Sequence, residues 1–137
     1  MIVLDASFAL NLVLNEPTRA AVRAQWQGWY ASGESIIAPP LFQAETLSVV
    51  RRNVYRGVLV DADGERALAD LDSLQIGIRE PVGLYRAAWD LAKRFNRPTI
   101  YDCCYVALAA MNGCELWTAD RRLANAVRPT ISWVRTI

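Results

Sequence analysis

Two rhythms of apolar residues alternate along the chain: short uninterrupted runs, and longer stretches in which an apolar position recurs every three or four residues. Ile2-Val3-Leu4 reads as a buried strand, and Ser7 to Leu14, with Phe8, Leu12 and Val13 at helical spacing, as the first helix. Glu16-Pro17-Thr18 opens a second helix through Val22, Trp26 and Trp29 that closes near Gly33, and Ser35 to Ala38 is a second strand. Pro39-Pro40 pre-sets the first turn of a helix running to about Arg56, which Gly57 ends. Asp61 to about Ser73 is another helix, with Leu68 and Leu71 apolar, before a short strand near Gln75 to Ile78. Pro81 begins a helix through Tyr85, Ala88, Trp89 and Ala92 that stops before Pro98. Tyr101-Asp102 precedes a strongly apolar helix, Cys103 to Met111, ending at Asn112-Gly113; strand Cys114 to Trp117 follows. Asp120 opens a short helix, and Ile131 to Val134 is a last strand. Strands separated by helices predict a layered α/β fold with a mostly parallel sheet covered on both faces. No linker, low-complexity tract or repeat divides the pattern, so one domain is expected across residues 1–137.

Composition narrows the chemistry. With 53% hydrophobic and 21% charged residues the chain is not disordered, and its length suffices to bury about two-thirds of its unfolded surface without disulfide or structural metal. A formal charge of +1 excludes coating nucleic acid by charge alone, so any such contact must be local; every cation except Lys93 is Arg. The absence of histidine excludes Ser-His-Asp and Cys-His catalysis, imidazole general bases and His-ligated zinc. Cys103, Cys104 and Cys114, odd in number with two adjacent, are no disulfide framework and read as small apolar filling in a reducing cytoplasm. The amino terminus meets Asp5 before any secretory apolar region could finish. The longest apolar stretch, Cys103 to Met111, falls short of the ~20 residues of a membrane span. A soluble, unprocessed, cytoplasmic protein is the expectation.

In a parallel α/β sheet the carboxyl ends of the strands share one edge with the amino ends of the helices, and ligands bind there. Asp5 follows the first strand and Asp120 the strand Cys114 to Trp117; Asp102 lies at the amino end of the apolar helix, and Glu45 in the second turn after Pro39-Pro40. Four acids are thus expected on one rim. Each has a plainer reading. Asp102 and Asp120 could be helix N-caps, worth ~1 kcal/mol each, and Asp5 could accept from the amides of the next helix. Glu45 shares an apolar face with Leu41 and Val49, so it needs a partner, and Arg52, two turns on, is the candidate. Acids crowded without compensating cations repel one another, and a divalent cation with oxygen ligands resolves this. Without histidine that ion is Mg²⁺, with Mn²⁺ possible. Such a site suits phosphodiester hydrolysis by an activated water. Ser7, Asn11 and Thr118 stand near the rim to orient ligands, or simply to cap and close turns.

These residues resemble a family, the PIN-domain ribonucleases, and within it the VapC-type toxins of type II toxin–antitoxin modules. The resemblance rests on Ile2-Val3-Leu4-Asp5-Ala6-Ser7, on Glu45 with Arg51-Arg52 after the Pro-Pro helix start, on Tyr101-Asp102 with Tyr105-Val106-Ala107-Leu108-Ala109, and on Thr118-Ala119-Asp120. It implies a three-layer PIN fold around a five-stranded parallel sheet and a Mg²⁺-dependent endoribonuclease. It also implies homodimerisation and neutralisation by a cognate antitoxin. It places the family's catalytic, metal-holding acids on Asp5, Glu45, Asp102 and Asp120. Cys103-Cys104 after Asp102 departs from the small residues more usual there. Candidate phosphate contacts are Arg51, Arg52 and Arg56, Arg94 and Arg97, and Arg121-Arg122, although Arg52 could be taken by Glu45. Trp26, Trp29, Trp89, Trp117 and Trp133 mostly suit core positions.

Other functions use acids on a parallel sheet. A phosphorylatable receiver module wants adjacent acids after the first strand and a late Lys, whereas Asp5 stands alone and Lys93 lies inside a helix. A haloacid-type phosphatase wants a second Asp where Ser7 stands. A catalytically silent PIN-like interaction domain has no need to keep all four acids.

Overall fold

Short apolar runs that cannot cover themselves pair side by side, and here they form one sheet. The computed structural model describes residues 1–137. Its five strands are β1 (Ile2–Leu4), β2 (Ile36–Ala38), β3 (Gly77–Ile78), β4 (Glu115–Thr118) and β5 (Val134–Thr136). They pair in parallel in the order β3-β2-β1-β4-β5. The seven helices are α1 (Ala6–Val13), α2 (Arg19–Ser32), α3 (Leu41–Tyr55), α4 (Asp61–Ser73), α5 (Leu84–Arg94), α6 (Tyr101–Asn112) and α7 (Arg121–Val127). Helix α1 packs on α2, α3 and α4, while α5 packs on α6. Val3, Leu4, Leu116 and Val134 are wholly enclosed, as strands of a sheet covered by helices must be.

The core explains the alternation of patterns. α6 is apolar nearly all round because every residue from Cys103 to Ala109 is buried. Under α1 and α2, Trp29 lies 5.2 Å from both Phe8 and Trp117, ring centroid to centroid. Trp89 departs from the core expectation, being 56% exposed on α5. Cys103 and Cys104 are buried filling, and burial pushes the Cys104 thiol up to about 11, which keeps it protonated and unreactive. Where α4 crosses α3, a Cβ on Gly64 would stand 2.5 Å from Val54 Cγ2, so the crossing requires glycine.

Several boundaries differ from the sequence expectation. The last strand is Val134–Thr136, not Ile131 to Val134: Ile131 instead drops into the core from the turn after α7, its amide bonded to the Val127 carbonyl at 2.8 Å. α5 starts at Leu84 because Gly83, at φ 88°, breaks the chain after Pro81. α6 starts at Tyr101, which puts Asp102 within its first turn.

The chain leaves β1 for β2 on one side and later returns to β4 on the other. Such a reversal opens a crevice between the two strands at their carboxyl ends. Register sets Leu4 beside Trp117, and the Asp5 amide donates to the Trp117 carbonyl at 3.2 Å, so the residues just past β1 and β4 meet there.

Candidate active site

Asp5 is the centre of this crevice, and it is 5% exposed. It is the N-cap of α1: Oδ1 accepts from the Phe8 amide at 3.0 Å and from the Ser7 hydroxyl at 2.7 Å, while Oδ2 accepts from the Thr118 hydroxyl. Ser7 and Thr118 are tied in turn. Ser7 Oγ accepts from the Ala119 amide at 2.9 Å and Thr118 Oγ1 from the Asp120 amide at 2.9 Å. Two hydroxyls, each held by backbone, therefore fix both oxygens of a buried carboxylate. These bonds do not repay burial: the Asp5 carboxyl is held up at about 6, because desolvation, helped a little by the charge of Glu45, outweighs the downward pull of the three bonds.

Glu45, half-buried on α3, corrects the expectation of an Arg52 partner. Its Oε2 accepts from the Tyr105 hydroxyl at 2.6 Å, and no cation stands within 4 Å of it. Burial holds its carboxyl above the usual range, opposed by the Tyr105 bond and assisted by the charge of Asp102. Glu45 raises the ionisation range of Asp5 and Asp102 that of Glu45, so these three acids share one electrostatic neighbourhood. Tyr105 is the residue that sequence reading passed over as a site member. Its position three residues after Asp102, on the same helical face, was the available signal. Tyr105→Phe is expected to lower stability by about 1–2 kcal/mol, since a half-buried carboxylate loses its donor, and to weaken any reaction that relies on Glu45; thermal melts and turnover measured together check this.

Asp102 is not an N-cap. Ile100 occupies that place, and Asp102 pairs through Oδ2 with Arg97 at 3.0 Å. This corrects two expectations: the acids are not wholly uncompensated, and Arg97 is engaged by Asp102 rather than free for substrate. Asp120 is an N-cap as the plainer reading held, its Oδ1 accepting from the Arg122 and Leu123 amides at 2.8 and 3.3 Å. It joins the others through the Thr118 hydroxyl that its amide holds, and its Oδ2 has no partner. No group of three acidic or thiol side chains draws together tightly enough to enclose an ion unaided. Asn11 supports α1 by donating to the Ser7 carbonyl at 3.0 Å and accepting from the Thr18 hydroxyl. Arg51, Arg52 and Arg121 are exposed.

The sequence model of the PIN-domain family matches residues 2–129. Ribonuclease VapC9 of Mycobacterium tuberculosis (strain ATCC 25618 / H37Rv) is 36% identical over 125 residues, covering 91% of this chain and 90% of that one. The chain belongs to the PIN-domain family, within its VapC group. Ribonuclease VapC12 of the same strain is 35% identical over 127 residues, covering 92% of each. Among solved structures, PAE2754 of Pyrobaculum aerophilum superposes with a TM-score of 0.72 at 22% identity, covering 98% of this chain and 87% of that one. VapC20 of Mycobacterium tuberculosis, a sarcin-ricin loop cleaving toxin, superposes at 0.67 and 16% identity, covering 93% and 95%. At those identities the two structures speak for the PIN fold, whose five-stranded parallel sheet and flanking helices this VapC-group chain shares.

Proposed function

We propose that this PIN-domain protein is a metal-dependent endoribonuclease that acts as the toxin of a toxin–antitoxin pair. The observation that carries the reading is the buried Asp5 carboxylate, fixed at both oxygens beside Glu45, with no cation within 4 Å of either acid. Kinship to ribonucleases VapC9 and VapC12 supports RNA as the substrate. The donors are all oxygen, which suits a hard cation, Mg²⁺ or Mn²⁺. Asp5 and Glu45 would hold it, with Asp102 and Asp120 at its margin and water and phosphate oxygens completing its sphere, in keeping with a carboxylate set too open to enclose an ion alone.

Bound there, the cation supplies a more acidic water and positive charge at the reacting phosphate. The chain's residues do the rest. Ser7 and Thr118 hold the Asp5 carboxylate in one rotamer, so no reorganisation is needed as negative charge builds on phosphorus. Glu45 would accept the proton of the attacking water, its carboxylate oriented by the Tyr105 hydroxyl. The water oxygen bonds to phosphorus, the bond to the departing nucleotide oxygen breaks, and that oxygen acquires a proton from solvent. Arg121, exposed at the start of α7 next to Asp120, would contact phosphate.

Localisation and assembly follow from the same reading. No helix is long and apolar enough to cross a membrane. The protein would act in the cytoplasm, as a homodimer, and a cognate antitoxin would silence it by placing a basic side chain among the uncompensated acids.

Purified protein should cleave RNA with Mg²⁺ or Mn²⁺ and stop when EDTA is added in excess. Undiminished cleavage in EDTA, or none with any divalent ion, would refute the reading.

A further inference from the structure

The outer face of α3 is a cationic strip with nothing on it. Arg51, Arg52 and Arg56 are exposed, and none has a carboxylate within 4 Å. Arg66, Arg86, Arg97 and Arg135 each pair with an acid, and the other exposed arginines without one, Arg23, Arg79, Arg94, Arg121, Arg122 and Arg128, lie singly or in twos on other elements, whereas α3 carries three. Three unneutralised guanidinium groups on one helix, in a chain whose formal charge is only +1, form a local concentration of positive potential. The strip also has a shape. Ala44, Leu47 and Ser48 form with Arg51, Arg52, Tyr55 and Arg56 one wide, shallow depression along the helix. Tyr55 ends it, 80% exposed, with the Arg51 guanidinium 6.0 Å from its ring centre. A tyrosine this open is neither buried in the core nor hydrogen-bonded into it, and the ring face away from Arg51 is available.

Position gives the strip a direction. Arg52 lies two turns beyond Glu45 on the same side of the helix, and Tyr55 is ten positions beyond Glu45, a rise of ~15 Å. At ~3.4 Å per stacked nucleotide that is about four nucleotides along a strand. Guanidinium groups along the way suit a repeating phosphate, and a bare aromatic ring at the end suits an unpaired base, since stacking requires a face and no particular sequence.

We propose that single-stranded RNA runs from the acidic site along the outer face of α3, its phosphates on Arg51, Arg52 and Arg56 and one base stacked on Tyr55. This rests on the ribonuclease reading above. It makes Tyr55 a substrate-binding residue and makes binding depend on strand length, because an RNA too short to reach Tyr55 gains nothing from the strip.

The test uses fluorescein-labelled, unstructured RNAs of 2 and 14 nucleotides, each binding followed by anisotropy in an Asp5→Asn background with Mg²⁺ so that nothing is cut. Tyr55→Ala should weaken the longer RNA about tenfold and leave the shorter unchanged, whereas Tyr55→Phe should keep wild-type affinity because the ring and not the hydroxyl is used. Replacing Arg51, Arg52 and Arg56 together by Gln should flatten the slope of log affinity against log salt for the longer RNA by about two, at roughly 0.7 per lost phosphate contact. Every substituted side chain is exposed, so unchanged melting temperatures are expected. Equal affinity of the wild-type strip for both lengths, or Tyr55→Ala binding the longer RNA normally while the otherwise unsubstituted protein still cleaves RNA, overturns the proposal and leaves the ribonuclease reading standing. Unchanged RNA binding with weakened capture of an antitoxin protein would assign the strip to that partner instead, also overturning it. A protein that neither cleaves RNA with Mg²⁺ nor binds it refutes the ribonuclease reading, and the strand path with it.

Discussion

Asp5→Asn should melt higher than the wild type without metal at pH 7.5, and it should cleave RNA about a thousandfold more slowly or not at all. Both effects come from one charge. The folded protein holds the Asp5 carboxyl at about 6 against an ordinary value of 3.8. Below about pH 3.8 the group is protonated in both folded and unfolded chains and contributes nothing. Between 3.8 and 6 the unfolded chain ionises it and the folded one resists, so folding loses stability as pH rises. Above about 6 the whole penalty is present, on the order of 3 kcal/mol at 1.36 kcal/mol per unit. Asparagine removes it and fits the site: its carbonyl oxygen keeps the Phe8 amide and Ser7 hydroxyl, and its amide donates to Thr118 Oγ1, whose own proton can turn to Ser7 Oγ 3.2 Å away. The melting curves of the two proteins should converge near pH 4 and separate above pH 6. Parallel curves at all pH values would show that burial of Asp5 does not strain the fold. The activity loss follows because an amide cannot hold a divalent cation, and losing several kcal/mol of charge stabilisation amounts to about three orders of magnitude.

The second large effect is expected on adding Mg²⁺. A ligand that binds only the folded chain stabilises it by about 2.7 kcal/mol at a hundredfold excess over its Kd, a rise of several degrees in Tm. Asp102→Asn should respond less. In the absence of metal this variant should melt near the wild type or slightly lower, because it gives up a half-exposed pair with Arg97 worth at most ~1 kcal/mol. Relief of a buried charge is thus expected at Asp5, which has no cationic partner, and not at Asp102, which has one. Paired melts with and without Mg²⁺ decide this, and a wild-type response in Asp102→Asn would remove that residue from the metal site.

Strand β1, the turn at Asp5 and the helix ends at Gly33, Gly57 and Gly113 were legible because short-range rules govern them: an apolar run, a capping carboxylate, a glycine in or near the left-handed region. The strand around Ile131 was misread because an apolar residue in a turn and one in a strand look alike until the core they fill is known. The site divides the same way. That Asp5, Glu45, Asp102 and Asp120 belong to one edge follows from parallel topology, which the alternation of elements reveals. What each carboxylate does there depends on neighbours far away in sequence. Tyr105, 60 residues from Glu45, supplies the bond that was expected of Arg52, and Thr118, 113 residues from Asp5, supplies another. The sequence by itself determined the periodicity, the exclusion of imidazole chemistry from a chain without histidine, and the edge on which its acids gather. Tertiary structure alone decided which acids are buried, which is paired with Arg97, and which cations of α3 are left free. Burial and pairing depend on distances between elements, and local periodicity carries no record of those distances.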